Sequence, residues 1–514
     1  MNYADLFLVT LPETALELAA LLVLVVDLGL LAKAKPAIRV SVAAWLGVVG
    51  CCMSLLTMPL EPQGGFGVPG NELLLSVGGS AAVAQVGILA LTVLTLMLFV
   101  ESTFTRNPGE FVAVALMAAT GGMLIAAAQD LLVIFVGLEL LSLGLYILTA
   151  FAKTSGASAE AAIKYYLFGG MSAAFLLFGF SYLYGITGTT NLHQMMLGVY
   201  TEHGVQAAPL LYVALVMVAA GLGFKVAAVP FHLWAPDTYE GAPAPAAAFI
   251  ASVSKVASFA LLISIGTAAA HVFDHMPSFV SAHAGMSAHA EPVFLGFRVA
   301  WSELLMVLAA ASMVLGNLAA LAQSSVRRLL AYSAIAHAGY IVLGLAFFSY
   351  SSQSGQAILY YILTYGLTTI GAFGVVAVVE RAAGSDNLDA FVGLYRRGPL
   401  LAAVLLVLFL SLAGIPPLVG FWAKFNLFAA VLRVYPAGLG LGLVALAVAM
   451  SAVSLYYYLQ VLKRAFVAPA LDDSPIAVHP VTLAVLMVVA GGVILLGCFP
   501  ALFEGWIAQF YAPM

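Results

Sequence analysis

Charge is what this chain has least of. Charged residues make up 8% of its 514 positions, against about 25% in an ordinary soluble domain. Together with a hydrophobic share of 63%, that scarcity excludes a string of soluble domains and predicts an all-α polytopic membrane protein. The net charge of −5 is small and scattered, which gives no surface for nucleic acid. Cysteine is almost missing. Cys51, Cys52 and Cys498 form neither a metal-ligand spacing nor a disulfide framework, and the adjacent pair reads as packed or lipid-facing small residues. No glycine-rich phosphate or dinucleotide loop follows a strand, and GxSxG, HExxH and CxxC are absent. The chain by itself is therefore expected to bind no cofactor or metal and to hold no redox centre.

Long apolar runs are abundant. They predict about fourteen transmembrane helices, near 11–32, 38–58, 73–100, 110–128, 130–151, 160–186, 208–230, 243–269, 300–321, 326–349, 356–380, 398–430, 437–463 and 478–505. Some 20 apolar residues suffice to cross roughly 30 Å of hydrocarbon. Lys33, Lys35 and Arg39 follow the first run and no basic segment precedes it, so it reads as a retained helix rather than a signal peptide. With those three residues placed in the cytoplasm, 12 of the 18 basic residues fall inside and only Arg298 and Arg433 fall outside; the other four are lysines within apolar runs. A miscounted helix would destroy this asymmetry. Both termini are expected on the outer, periplasmic side.

Two outer loops are long. One, 187–207, holds His193 and His203. The other, 271–299, holds His271, His275, His283 and His289. Spacings of 4, 8 and 6 match no closed zinc template, so a variable surface loop is the expected reading. Two helices carry proline near their middles, GLGFKVAAVPFHLWAPD at 221–237 and LSLAGIPPLVGFWAKFN at 410–426. Proline removes a backbone donor, and the freed carbonyls are tolerated where protein or a cavity serves them. The breaks fall in the seventh and twelfth helices, five apart, and an odd interval inverts the second unit. Two inverted five-helix repeats, helices 4–8 and 9–13, each with a proline-broken helix, are therefore expected. The corresponding segments are an N-terminal three-helix segment (1–105), a first repeat (106–270), the His-rich loop (271–299), a second repeat (300–465) and a C-terminal helix (466–514).

A charge at mid-bilayer costs about 2.5 kcal/mol or more and is rarely kept without a use. Five residues stand in such places: Glu139, Lys164, Lys225, Lys255 and Lys424. Glu139 lies about 14 Å along its helix from Asp130, and Lys225, just ahead of Pro230, is its natural partner. A static structural pair is the alternative, although buried pairs stabilise poorly. Every deep cationic residue is lysine, whereas the arginines lie at loops or helix ends. Burial makes an ammonium release its proton more readily, and arginine keeps its own, so the division favours protonation chemistry. Lys255 has Ser252, Ser254 and Ser258 nearby in sequence. Lys164 is shallower, and snorkelling to the cytoplasmic surface competes with a pathway role. His337, about 15 Å inward from Arg327, can carry protons between Lys255 and Lys424 or serve as a structural histidine bonded to Tyr or Ser. His232 can satisfy carbonyls at the first break. Asp237 and Glu240 can collect protons at the cytoplasmic side, cap a helix or pair with a neighbour.

The runs PFHLWAPDTYEGAPAP (230–245), SKVASF (254–259), LAYSAIAHAGY (330–340) and GIPPLVGFWAKF (414–425) resemble subunit N of bacterial NADH–quinone oxidoreductase, respiratory complex I, an antiporter-like membrane subunit family. The similarity runs over nearly all the helices and is weakest in the His-rich loop. Subunits L and M and sodium–proton antiporter subunits share the broken helices, but TYEGAP with SKVASF looks like N, and no long lateral helix is seen after 505, which argues against the L type. The resemblance implies a proton-translocating subunit in which Glu139 is the gating glutamate, Lys225 its partner, Lys255 the connecting lysine, Lys424 the terminal lysine and His337 an axis position. It implies that NADH, FMN, iron–sulfur clusters and quinone belong to other subunits, that subunits M, K and J and membrane lipid are neighbours, and that the setting is the bacterial inner membrane. One departure from strict repeat symmetry stands out: Lys225 precedes its proline, whereas Lys424 follows its prolines. A sodium–proton antiporter component and a purely structural spacer are the competing readings. One deep carboxylate makes a poor sodium cage, and a spacer leaves the buried charges unexplained.

Overall fold

The computed structural model describes residues 3–60, 64–68, 72–199, 208–274, 290–348, 353–435, 437–469 and 474–510. The longer helices are α1 (Leu11–Val25), α2 (Pro36–Thr57), α3 (Gly79–Phe99), α4 (Pro108–Ala127), α5 (Leu131–Thr149), α6 (Gly156–Thr187), α7 (Ala208–Val226), α8 (Trp234–Gly241) and α9 (Ala244–Asp274). They continue with α10 (Ala290–Leu321), α11 (Val326–Ala346), α12 (Gln353–Ala383), α13 (Pro399–Ala413), α14 (Val419–Val434), α15 (Leu439–Phe466), α16 (Pro480–Cys498) and α17 (Pro500–Phe510). A two-stranded antiparallel ribbon, Phe66–Val68 with Glu72–Leu75, joins α2 to α3.

Among the described residues, 12 helices are long and apolar enough to cross a membrane. The two expected crossings without a single long helix are the first and the twelfth. In the first, α1 passes into a π-turn over Val26–Leu30. In the twelfth, the run 398–430 divides into α13 and α14, and a non-helical stretch separates them. The ninth begins at Ala290, ten residues earlier than its apolar run suggests. The centre of the His-rich loop, 275–289, lies outside the described residues.

The helix limits follow from local chemistry. Proline opens α2, α4, α13 and α16, where its missing N–H costs nothing. Asp130 caps α5 by accepting from Leu132 N at 2.8 Å, and Ser325 caps α11 by accepting from Arg328 N at 3.1 Å. Both cap residues also form isolated bridges to distant asparagines, Asp130 with Asn191 and Ser325 with Asn387. Small residues set the closest helix contacts. A Cβ added to Gly121 would stand 2.5 Å from Leu141 N, and one added to Gly339 would stand 2.8 Å from Met313 N. These contacts seal α4 to α5 and α10 to α11.

The central layer is the most enclosed. Helices α9, α11 and α12 are almost wholly buried, whereas α6 and α15 expose rows of large apolar side chains such as Leu167, Phe178, Leu441 and Tyr456. In the N-terminal segment, the Arg39 guanidinium grips Asp27 with two hydrogen bonds, 2.7 and 2.8 Å, and Gly109 N joins the same carboxylate. Glu13 accepts from Gln85 at 3.0 Å. Cys51 is buried and Cys52 exposed.

Candidate proton axis

The two breaks organise the site. α7 stops at Val226, and Ala227 takes a left-handed conformation with φ 59°. The broken turn is then served from outside: Trp234 Nε1 donates to Phe224 O at 3.0 Å, and Ser312 Oγ accepts from Val229 N at 2.9 Å. The side chain of His232 packs at the same break, buried, with its Nδ1 unpaired. α13 stops at Ala413, and Gly414 turns the chain with φ 88°. Gly420 N, at the start of α14, donates to Ser411 Oγ at 3.1 Å.

Each break also presents helix-terminal carbonyls, and a lysine ammonium closes each set. Lys255, from α9, donates to Val226 O at 3.1 Å and to Ala334 O of α11 at 2.9 Å. Lys424, from α14, donates to Leu412 O and Ala413 O, both at 3.0 Å, and to Ser451 Oγ at 2.8 Å. A cation at a helix C-terminus meets both unsatisfied carbonyls and the negative end of the helix dipole. The two lysines are 3% and 5% exposed, so these carbonyls stand in place of solvent. Gly414 makes room for the arrangement, because a Cβ there would stand 3.0 Å from Lys424 Cδ.

Lys225 is placed differently. It is buried on α7, and its Nζ donates to Ser142 Oγ on α5. Ser142 lies one helical turn from Glu139 and donates in turn to Leu138 O. Glu139 is half-buried. Among the described residues, no ion pair joins Glu139 to Lys225; the serine hydroxyl takes the ammonium. Ser142, one turn from Glu139 on a neighbouring part of the α5 surface, is the side chain that packing brings to the ammonium.

His337 lies between Lys255 and Lys424. Ala334, which Lys255 holds, is one turn away on the same helix. Its ring is within electrostatic reach of both lysines. Nδ1 shares a hydrogen bond with Tyr361 OH at 2.9 Å, and Nε2, fully enclosed, has no partner. Tyr340 lays its ring 5.3 Å from Lys424 Nζ. Its hydroxyl accepts from Asn317 Nδ2 at 3.1 Å, and Tyr457 OH donates to Asn317 Oδ1 at 3.1 Å. Ser333 bonds Tyr458 beside them. Sequence reasoning missed Ser142, Asn317, Tyr361, Ser451 and Tyr457. Polar residues in apolar helices were the available signal, but many such residues only bond back to their own helix, as Thr92 and Thr95 do.

Lys164 stands apart from the buried line. It is well exposed and pairs with Glu160 and Asp237, each at 2.7 Å. Asp237 also meets Arg328 at 2.7 Å, and Arg328 meets Glu240 at 2.8 Å. Burial pushes the Asp237 carboxyl up, but the hydrogen bonds from Lys164 and Arg328 outweigh it and hold the group below the usual carboxylate range. Of the roles open to Asp237 and Glu240, the structure shows pairing. Next to them, Arg327 pairs with Glu380 at 3.2 Å and donates to Ala242 O. A cavity of about 470 Å³ opens there, lined by Glu101, Glu240, Arg327, Glu380 and Arg381. No group of three His, Cys, Asp or Glu suited to a metal occurs among the described residues.

Known proteins match this chain in sequence and in fold. A sequence model of the family described as NADH:quinone oxidoreductase/Mrp antiporter, TM, matches residues 128–290 and 280–451. NADH-quinone oxidoreductase subunit N 2 of Acidobacterium capsulatum is 46% identical, with 99% of each chain covered. A chain in the structure of respiratory complex I from Thermus thermophilus with bound aureothin superposes with a TM-score of 0.74 at 33% identity, covering 96% of this chain and 98% of that one. A chain of the Mrp complex from Dietzia sp. DQ12-45-1b shares the fold, with a TM-score of 0.78 at 21% identity and 98% of each chain covered. Matched along its whole length, the chain belongs to the NADH:quinone oxidoreductase/Mrp antiporter membrane-subunit family, among the N subunits of NADH-quinone oxidoreductase.

Proposed function

We propose that this chain translocates protons, driven by NADH oxidation and quinone reduction carried out in partner subunits of the assembled complex. The observation that carries the reading is the buried line Lys225, Lys255, His337 and Lys424, in which two ammonium groups close the carbonyl ends of two interrupted helices. Lysine can give up its proton there, and each lost proton removes one N–H donor and the charge from those carbonyl contacts. Deprotonation and local conformation are thereby coupled.

Glu139 controls one end. When Lys225 turns from Ser142 toward Glu139, its positive charge moves away from Lys255, and Lys255 holds its proton more readily. When Lys225 returns, Lys255 releases its proton along the axis toward His337 and Lys424. Lys164, with Asp237, Glu240 and Arg328, anchors the cytoplasmic face and shapes the field at the intake.

The same reading places fourteen crossings, the fourth to the thirteenth in two inverted five-helix repeats, with both termini in the periplasm and the chain in the bacterial inner membrane. The matched bridges from Asp130 to Asn191 and from Ser325 to Asn387 support the repeats, since each ties the start of the second helix of its unit to the end of the third. Subunits M, K and J are the expected neighbours, and NADH, FMN, iron–sulfur clusters and quinone belong to other subunits. The reaction is that of an NADH:quinone oxidoreductase of the proton-translocase class.

The experiment is proton pumping per NADH oxidised in reconstituted complex carrying Lys225→Ala. Lowered pumping at full assembly is expected. Unchanged pumping at full assembly would sink the role given to Lys225.

A further inference from the structure

We propose that protons leave along the seam between α12 and α14, from His337 Nε2 to an outer vestibule closed by the hydrogen bond between Asn426 and Glu504. This rests on the proton-translocation reading above and adds the exit to it.

The inner end of the seam is a small enclosed space beside His337. The space measures about 10 Å³ and is lined by His337, Tyr361, Thr364, Thr368 and Ser411 among others, which is about enough for one water. The imidazole is 4% exposed, and its Nε2 is the side-chain atom there without a partner. The threonine hydroxyls beside it are spent on their own helix, Thr364 on Tyr360 O and Thr368 on Thr364 O, so a buried ring nitrogen left unpaired next to a water-sized space is the atom placed to exchange a proton with that water.

The outer end is a cavity of about 320 Å³ between α12, α14 and α17, lined by Gln356, Tyr360, Asn426, Ala430, Arg433 and Glu504. It lies at the Arg433 end of α14, the side that the distribution of basic residues makes the outer one. Asn426 Nδ2 donates to Glu504 Oε1 at 2.6 Å. That contact ties α17 to α14 across the mouth.

The two spaces share one track. On α14, Gly420 and Ala423 line the inner one, and Asn426, Ala430 and Arg433 line the outer one. Steps of three and four residues keep these five along one side of the helix, and Phe425 and Ala429 widen the lining at the outer cavity. On α12, Thr368 and Thr364 line the inner space, and Tyr360 and Gln356 line the outer one, in steps of four. What separates the spaces on α14 is one turn, from Ala423 to Asn426, about 4.5 Å of rise. Lys424 faces away from this seam, toward Ser451 of α15. A proton that Lys424 gives up therefore enters the seam by way of His337 rather than directly.

The steps balance without a further reactant. His337 receives a proton on Nε2 and becomes imidazolium. Water beside it takes that proton and passes it down the seam. Glu504 accepts it, becomes neutral, and loosens its hold on Asn426. Release to outer water then restores both the carboxylate and the hydrogen bond.

The test uses the assembled complex in liposomes. In a background with Cys51, Cys52 and Cys498 replaced by serine, Ala430→Cys is expected to react with a membrane-impermeant maleimide added from the outer side, and several-fold faster when Glu504→Ala is also present. Glu504→Gln is expected to lower pumping per NADH to the level of Lys255→Ala, and Glu504→Asp to restore most of it. No labelling at Ala430→Cys, or wild-type pumping by fully assembled Glu504→Gln, overturns the exit. If Lys255→Ala lowers pumping while Glu504→Gln does not, only the exit fails. If neither variant changes pumping, the translocation reading fails as well.

Discussion

The two broken helices solve the same backbone problem with different lysines. At the second break, Lys424 of the following half-helix folds back over the carbonyls of Leu412 and Ala413 and adds Ser451. At the first, the lysine of the broken helix itself, Lys225, turns away to Ser142, and Lys255 of α9 closes the carbonyl of Val226. A lysine held by three acceptors is part of the architecture as well as the chemistry. A lysine held by one hydroxyl can change partners at small cost. On the proposed reading, Lys225 is the lysine that switches, and Lys255 and Lys424 are the ones that stay anchored.

Lys424→Ala should break this contrast most severely. It leaves Leu412 O without the lysine donor and Ala413 O with only Ser451 Oγ, 3.3 Å away, at about 1–3 kcal/mol for a buried group left unsatisfied. Both the amount of assembled complex on native gels and the pumping ratio should fall. Lys424→Arg should recover assembly but not pumping, since guanidinium keeps its proton; recovery of both would remove proton release from the role of Lys424.

Gly414→Ala comes next. The position has φ 88° and its new Cβ would press on Lys424 Cδ. The left-handed backbone alone costs about 1–2 kcal/mol. A lowered unfolding temperature together with reduced pumping is expected, and wild-type behaviour would show that Lys424 does not depend on this turn.

Lys225→Ala should do the reverse of Lys424→Ala. Ser142 keeps its bond to Leu138 O, so the loss is about 1 kcal/mol and assembly should hold, while pumping falls. Parallel losses of assembly at Lys225 and Lys424 would erase the distinction.

The smallest effect is expected at the exposed network around Lys164. Lys164→Ala breaks exposed pairs, which contribute little, and should leave assembly unchanged with pumping near wild type. The Asp237 carboxyl is held below its ordinary value, so its contribution is complete above the unfolded pKa of about 3.9. It is lost as pH falls through the lower, folded value. Thermal scans of the purified complex should therefore show no Asp237→Asn difference that varies with pH between about 5 and 8.

Much of this was legible in the residues because hydropathy and proline act locally. Apolar runs of helix-spanning length, the basic asymmetry of the loops and two proline interruptions place the helices and both breaks without any knowledge of neighbours. The depth of Lys225, Lys255 and Lys424 follows from 1.5 Å per residue. The partner of each lysine was not legible. Glu139 and Ser142 lie one turn apart on α5, and which one meets Lys225 depends on a rotation and separation set by packing against α7. The acceptors of Lys424 include Ser451, 27 residues further along the chain, and nothing in the intervening residues marks it.

The sequence by itself determined that this is a membrane protein, which of its helices are interrupted, and that its deep cations are ones able to lose a proton. Those properties reside in the composition and order of single segments, where the cost of burying a charge or losing a backbone donor is paid one residue at a time. Only the tertiary structure decided which carbonyls each lysine closes, that Lys225 rests on a serine, that Lys164 belongs to a surface network, and that Tyr361 takes one ring nitrogen of His337. Hydrogen bonds reach about 3 Å, and which groups come within that reach is settled only when the helices pack.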